Sequence, residues 1–323
     1  MNALNQQTIK KLIRLGQWVG WGLISIIIIG GGTLVIGVYI FKWQGDNVQS
    51  VLRYVPLPAA RVNWQPLWYQ DFLQQEQALL TYNTTMATAN ANSYRALSTN
   101  QIRGNTVNKL VRDYGTTALG KKYRLTVSSA DIDQAYTSQV LQGGNREEVI
   151  QMIKKLYNWT PEQFKKYVLK ISVLRDKLRE KYSYDDSLNG QVRQTVSRVT
   201  AALADGQKTF EEIAREFGQD TAAAVGGDLG FIPRGQLTSE LDDVAFTIPI
   251  DQVSQVIHTK YGWHVIKVLE RKTVDGQEQA HLEQIFIAAP SVDQAVTDYL
   301  QTRQVKIYVP GYTYDNTAGL SQP

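Results

Sequence analysis

The chain has 323 residues, enough for two modest domains and appendages, and its 43% hydrophobic content supports a packed core. The net charge of +4 is small, and Lys and Arg at 103–124 and 146–181 are mixed with Asp and Glu, which describes solvated helix faces and argues against nucleic-acid binding. The absence of cysteine excludes a thiolate nucleophile, a thiolate metal site, disulfides and a lipid-modified cysteine, and leaves the compartment open.

The first predicted element is apolar. No charged residue lies between Leu15 and Phe41, and 27 residues of helix span about 40 Å, enough to cross a bilayer with some tilt. Trp18 and Trp21 near one end, and Tyr39, Phe41 and Trp43 at the other, suit interfacial aromatic belts. A cleaved signal peptide needs a shorter apolar run of about 7–15 residues, directly followed by a small-residue cleavage site. Here FKWQGD follows, so residues 15–41 read as an uncleaved transmembrane helix with the lipid bilayer as partner. Lys10, Lys11 and Arg14 precede the span and only Lys42 directly follows it. The positive-inside rule then gives a short cytoplasmic tail, 1–14, and a single-pass cell-membrane protein whose remaining domains are extracytoplasmic.

Residues 42–60 read as a linker and 61–185 as a helical region. ARVNWQPLWYQDFLQQEQALLTYN suggests a short strand, a turn and an amphipathic helix. Val149, Met152, Ile153 and Leu156 repeat at helical spacing, as do Phe164, Val168, Ile171 and Leu178. Such stripes are core by default, or a groove for a partner. Thr160-Pro161-Glu162-Gln163 and Thr209-x-x-Glu212 are helix starts. After a break at 182–190, QVRQTVSRVTAALADG predicts a helix, VGGDLGFIPRGQ a glycine-rich turn region, and 239–245 a short helix. VSQVIHT and GWHVIKVLER predict strands. The segment after 291 reads as a helix and strand ending in a loose tail, GYTYDNTAGLSQP.

His264, in YGWHVIKV, is one histidine in an apolar run. From the residues alone it is either a satisfied core histidine or a residue facing a substrate. Gly226, Gly227, Gly230 and Gly235 supply backbone freedom for a tight approach or simple turns. Leu229, Leu237, Leu241 and Phe246 offer an apolar lining or core. The three histidines lack metal-ligand spacing, and neither a metal nor any other cofactor is expected.

ADGQKTFEEIAREFGQD, GGDLGFIPRGQLTSELDDVAF and IPIDQVSQVIHTKYGWHVIKVLERK together resemble a parvulin-type peptidyl-prolyl isomerase domain, in the family's order over about 85 residues. More loosely, VNWQPLWYQDFL and the helices to 184 resemble the chaperone region of SurA/PrsA-like foldases. The resemblance implies an α+β fold: a small antiparallel sheet flanked by helices at 186–290, beside a mostly helical chaperone domain. It implies polypeptide clients, cis/trans isomerisation of their X–Pro bonds, and a site made of His264 and Asp220 with Leu229, Leu237, Thr238, Leu241, Phe246 and Tyr261 lining it. A holding chaperone that binds segments without turnover, or an envelope scaffold protein, are the other readings.

Two departures from the family stand out. Leu241 falls where an aromatic is common, which makes the proline cup shallower. The family's first strand, of the type A-R-H-I-L-V, is missing before the first helix, and AHLEQIFIAAP at 280–290 matches it instead. The domain is therefore expected to be circularly permuted, its first strand (280–288) joined to the last by a hairpin at Asp275-Gly276. Gln284 then falls where the family has its other histidine. A strict two-residue turn would place His264 opposite Ile287 and Gln284 on the other face, so the family's pairing requires a longer loop or a bulge.

Overall fold

The computed structural model describes residue 37 and residues 55–90, 93–141, 145–315 and 319–321. Among the described residues no helix is long and apolar enough to cross a membrane. The expected tail 1–14, the span 15–41 apart from Gly37, and linker residues 42–54 lie outside the described residues.

In chain order the elements are β1 (Pro58–Val62), β2 (Gln65–Trp68), α1 (Tyr69–Ala89), α2 (Thr99–Lys122), α3 (Ser129–Ala135) and α4 (Arg146–Tyr157). Next comes α5, which runs through Pro161–Phe164, a wide π-type turn Lys165–Leu169, and Lys170–Tyr184. Then follow α6 (Gly190–Asp205), α7 (Phe210–Phe217), a 3₁₀ turn (Thr221–Val225), β3 (Asp228–Pro233), α8 (Ser239–Ala245), β4 (Ile257–Thr259), β5 (Gly262–Val274) and β6 (Gln277–Ala288). The chain closes with α9 (Val292–Gln301), β7 (Val305–Ile307), β8 (Thr313–Asp315) and β9 (Gly319–Ser321). It divides into two compact units.

The first unit comprises Met1–Tyr114, Glu147–Pro161 and Leu300–Pro323. Its sheet runs β2-β1-β7, both pairings antiparallel, so a strand from the C-terminal region completes the sheet begun at Pro58. Ala59, Ala60, Val62, Phe72, Ile102 and Val107 are buried in this unit. Glu76, also buried, is paired with Arg103 at 2.7 Å. The expected loose tail is corrected here: β8 and β9 pair as a hairpin, and Tyr312 is buried with its hydroxyl donating to Asn100 O at 2.6 Å. A tyrosine that buries its ring and satisfies its hydroxyl outweighs the loop-like composition around it.

The second unit comprises Gly115–Arg146 and Glu162–Tyr299. Its antiparallel sheet has the order β3-β6-β5-β4. β5 and β6 form the expected hairpin, with Asp275 (φ 52°) and Gly276 (φ 79°) as its two turn residues. Both lie in the left-handed region, whose twist matches the flanking strands. Alternation along the strands sorts side chains into two layers. One face carries Trp263, Val265, Ile285 and Ile287 against Val199 of α6 and Phe210, Ile213 and Ala214 of α7. The other carries Ile266, Val268, Ala280 and Leu282 against Leu241 and Ala245 of α8. The start of α7 is the expected capping box, with Thr209 Oγ1 accepting from Glu212 N–H and Glu212 from Thr209 N–H.

Three polar anchors fix the framing segments. Arg271 donates to Ala245 O at 2.8 and 3.0 Å and to Ile248 O, holding the end of α8 over the sheet. Fully buried Asn189 donates to the carbonyls of Tyr182, Ser183 and Asp185, which satisfies the last turn of α5. Ser183 Oγ donates to Thr259 O at 2.7 Å, tying α5 to β4.

One glycine is dictated by contact. Gly227 (φ +88°) lies against β6, and Gln284 N–H donates to its carbonyl at 2.8 Å. A Cβ there would sit 2.3 Å from Gln284 O. Gly227→Ala is expected to cost about 2 kcal/mol or more in urea unfolding. Gly230→Ala, also at positive φ but with nothing within 4 Å, should cost about 1 kcal/mol. Equal costs at the two positions would show that backbone conformation, not the contact with β6, is what matters.

Candidate functional site

The site begins with a register. Leu269 is an extra residue in β5: Val274 pairs with Gln277 across the turn, Glu270 with His281, and then Val268 with Leu282. The bulge shifts all later pairs by one, so His264 stands opposite Phe286 and Ile266 opposite Gln284. Because His264 and Ile266 share a face, so do His264 and Gln284. The hairpin thus combines the two-residue turn with a bulge, and the bulge puts both polar side chains on the α8 side. His281 takes the other face and bonds Asp228 at 2.7 Å.

Asp220 reaches the same place from the far side. Gln219 N–H donates to Phe286 O, and Gln219 Oε1 accepts from Ala288 N–H, so residues 219–220 run beside the end of β6. Asp220 Oδ1 caps the 3₁₀ turn by accepting from Ala223 N–H at 3.1 Å. Its Oδ2 accepts from Gln284 Nε2 at 2.7 Å.

The rest of the network follows from which atoms can donate. Gln284 spends an amide N–H on Asp220, so its Oε1 faces His264 Nδ1 at 3.0 Å. That oxygen can only accept, which assigns the ring proton to Nδ1 and leaves Nε2 as acceptor in the neutral imidazole. Thr259 Oγ1 lies 2.9 Å from Nε2 and accepts from Tyr261 N–H at 3.2 Å, so its single hydroxyl proton points to the ring. The order is Tyr261 N–H to Thr259, Thr259 to His264, His264 to Gln284, Gln284 to Asp220. Burial holds the His264 pKa below its ordinary value, opposed by the bond to Gln284 and the charge of Asp220. Protonation would leave Thr259 to turn its hydroxyl toward Gly262 O, 3.4 Å away. His264 is only 6% exposed, and Phe286 lies 4.7 Å from its ring. It is a satisfied, buried histidine, and it is also the centre of a polar chain at the edge of an apolar surface.

That surface is the layer under α8. Leu229, Leu237 and Phe246 are half-buried and pack on Leu241, Ile266 and Leu282. Leu241 is only 4% exposed, so it belongs to the floor of this layer. Thr238 occupies the N-cap position of α8 and is half-buried. Tyr261 is 45% exposed at the strand turn, with Lys260 Nζ 5.3 Å from its ring centre. Arg234 lies over Phe246 at 5.1 Å and pairs with Glu278 at 2.5 Å. The structure therefore brings together His264, Gln284 and Asp220 by direct hydrogen bonds, and Leu229, Leu237, Leu241 and Phe246 by packing. Thr259 and Phe286 were not read from sequence as parts of the site. The signal for Thr259 was its position directly before the tight Lys260-Tyr261 turn, where a hydroxyl can bond back to the strand. Among the described residues no group of three or more His, Cys, Asp or Glu side chains could hold a metal ion.

The family model of the PPIC-type peptidyl-prolyl isomerase (rotamase) domain matches residues 178–270. This segment is a parvulin domain. Chaperone SurA of Burkholderia pseudomallei (strain 1710b) is 34% identical over 121 residues, covering 37% of this chain and 27% of that protein. Foldase protein PrsA of Geobacillus kaustophilus (strain HTA426) is 32% identical over 173 residues, 48% of this chain and 58% of that one. The crystal structure of PrsA from Bacillus subtilis is a weak likeness, 17% identical over 68% of this chain and 78% of that chain at a TM-score of 0.22. The chain thus spans between about a sixth and three-fifths of the length of the curated relatives it matches.

The opposite face of the parvulin sheet carries a second ionisable group. Glu283 is 6% exposed; burial, reinforced by Glu211, raises its pKa, with Lys267 Nζ 3.8 Å away. The two faces give opposite pH dependences. Folded His264 takes up a proton less readily than it does in the unfolded chain, so its contribution is full above about pH 6.5 and falls as pH drops below that value. His258, also lowered by burial, acts in the same sense. Glu283 acts oppositely, its burden easing as pH falls toward its ordinary value near 4.5. The urea midpoint is expected to drop from about pH 7.5 to about pH 5.5, with a shallower drop in His264→Gln. An unchanged slope in the variant would overturn the neutral, buried assignment of His264.

Proposed function

We propose that the chain is a membrane-anchored extracytoplasmic foldase. Its first unit and helical segments hold unfolded polypeptides, and its parvulin domain speeds cis/trans isomerisation of their X–Pro bonds. The observation that supports this reading is the ordered chain Thr259–His264–Gln284–Asp220 beside the half-buried apolar surface of Leu229, Leu237 and Phe246. Rotation about an X–Pro bond meets a barrier of about 18–20 kcal/mol set by amide resonance, so no nucleophile is required. Both nitrogens of His264 are committed, so the ring is not a proton donor to the amide in this arrangement. Its work is to hold a polar wall of fixed orientation against an apolar cup. A proline ring seated on the cup leaves its amide out of bulk water, where the twisted, less dipolar form is favoured. The membrane anchor rests on residues 15–41 and the charges flanking them.

A holding chaperone without turnover is the second reading, favoured by Gln284 at the position of the family's other histidine and by Leu241 in place of an aromatic. The full chain in detergent is expected to accelerate isomerisation of short X–Pro peptides. His264→Ala should reduce this by about tenfold or more, equivalent to ~1.4 kcal/mol in the barrier. No acceleration, together with suppressed aggregation of an unfolded client, would decide for the holding chaperone.

We also read the parvulin domain as circularly permuted. In support, β6 pairs antiparallel with β5 along its whole length, while the family match ends at residue 270, before β6 begins. β6 contributes Ala280, Leu282, Ile285 and Ile287 to the two core layers. A chain ending after Lys272 should therefore lose cooperative unfolding of the domain. Retained cooperativity in that truncation would sink the permutation.

A further inference from the structure

The first unit sets two cations side by side on one face of its sheet. On β1 and β7, Arg61 and Lys306 stand directly opposite each other. Directly opposed side chains share a face, and like charges there are destabilising. Among the described residues no carboxylate pairs with Arg61 or Lys306, and Arg61 Nε is buried without a hydrogen-bond partner. Beside them is a pocket of about 570 Å³ lined by Arg61, Asn63, Trp64 and residues 301–304. Its lining holds two guanidinium groups and no acid.

The pocket is firmly built. Asn63 (φ 51°) forms the β1–β2 turn with Trp64; its N–H donates to Gln304 O at 2.7 Å, and its Oδ1 accepts from Gln304 N–H at 2.9 Å. The turn presents Trp64 outward. At 88% exposure it is the most exposed of the large hydrophobic side chains among the described residues, with the Arg61 guanidinium 5.6 Å from its ring centre. An exposed indole costs contact with water, and an uncompensated cation pair costs repulsion. A single partner that is anionic and amphipathic relieves both.

We propose that this face docks on anionic phospholipid headgroups, with Arg61, Arg303 and Lys306 at the phosphates and Trp64 at the headgroup level. Charge and the indole both favour a lipid surface: arginine fits phosphate oxygens, and tryptophan prefers the membrane–water interface. The chain length allows it. Arg61 lies twenty residues beyond Phe41, the end of the expected span, so the face stays tethered near the bilayer. This part of the proposal rests on the membrane-anchor reading of residues 15–41. Three such cations near an anionic surface raise partitioning by on the order of a hundredfold, an effect that salt screens.

The chain has no cysteine, so one introduced thiol reports uniquely. The full chain carrying Gln65→Cys, labelled with an environment-sensitive dye, would be reconstituted into vesicles of phosphatidylcholine alone or mixed with phosphatidylglycerol. The expected result is a blue-shifted emission and at least a threefold protection from iodide quenching only with phosphatidylglycerol, reversed by high salt. Arg61→Gln with Lys306→Gln should remove it, and Trp64→Ala should weaken it, with thermal unfolding unchanged or, in the double variant, raised by relief of the repulsion. Equal quenching in both vesicle types would overturn the proposal. A matching response to inorganic phosphate without vesicles would overturn it too, assigning the face to a soluble anion. A Val38→Cys label reads the anchor separately. If Val38 is exposed to iodide, the anchor reading fails, and binding of the same chain to added phosphatidylglycerol vesicles, scored by flotation, still supports or refutes the docking face.

Discussion

The site depends on a single extra residue. Without the bulge at Leu269 the same residues in strict register from the turn would set His264 opposite Ile287, leaving His264 and Gln284 on opposite faces of the sheet. Whichever of the two faced the layer beneath α6 and α7 would lack partners among Phe210, Ile213 and Ile285, at a cost of a few kcal/mol. The bulge exchanges the faces, so the amide meets His264 and Asp220 instead. A second irregularity, at Leu229 in the β3–β6 pairing, lies across the same residue, Leu282. The two bulges flank one buried leucine, and both of the site's walls, polar and apolar, are oriented from that point.

Polarity then propagates in one direction. Asp220 accepts, and each hydrogen bond beyond it has its donor fixed in turn, ending at the backbone N–H of Tyr261. A network of this kind has few alternative states, because reversing one bond breaks its neighbours. The same closure explains why His264 can be buried and neutral without being left unsatisfied. Gly227 belongs to this arrangement as well: its missing Cβ lets the chain after the 3₁₀ turn close on the backbone of Gln284, and Asp220 stands at the start of that turn.

Much of this was legible in the residues. Period-two alternation in GWHVIKV and HLEQIFI placed the strands, Asp275-Gly276 placed their turn, and Thr209-x-x-Glu212 placed the start of α7. Local chemistry decides each of these, so local sequence reveals it. The position of the bulge was not legible: any of several residues between Val268 and Val274 could have been the extra one, and the register identifies Leu269. Thr259 escaped for a similar reason, since its role comes from a partner across a turn. The C-terminal hairpin escaped because Tyr312 is held by Asn100, more than two hundred residues earlier.

The pairing of β1 with β7 joins segments some 245 residues apart and has a consequence for biogenesis. A chain emerging in order presents Ala60 and Val62 long before Val305 and Ile307 exist to cover that edge. The second unit, whose strands β3 to β6 are separated by short connections, can close as soon as Ala288 is available. Loop-closure entropy further delays the distant pairing. Assembly thus runs from the middle of the chain outward, and the first sheet to be started is completed only after the sheet of the second unit has closed.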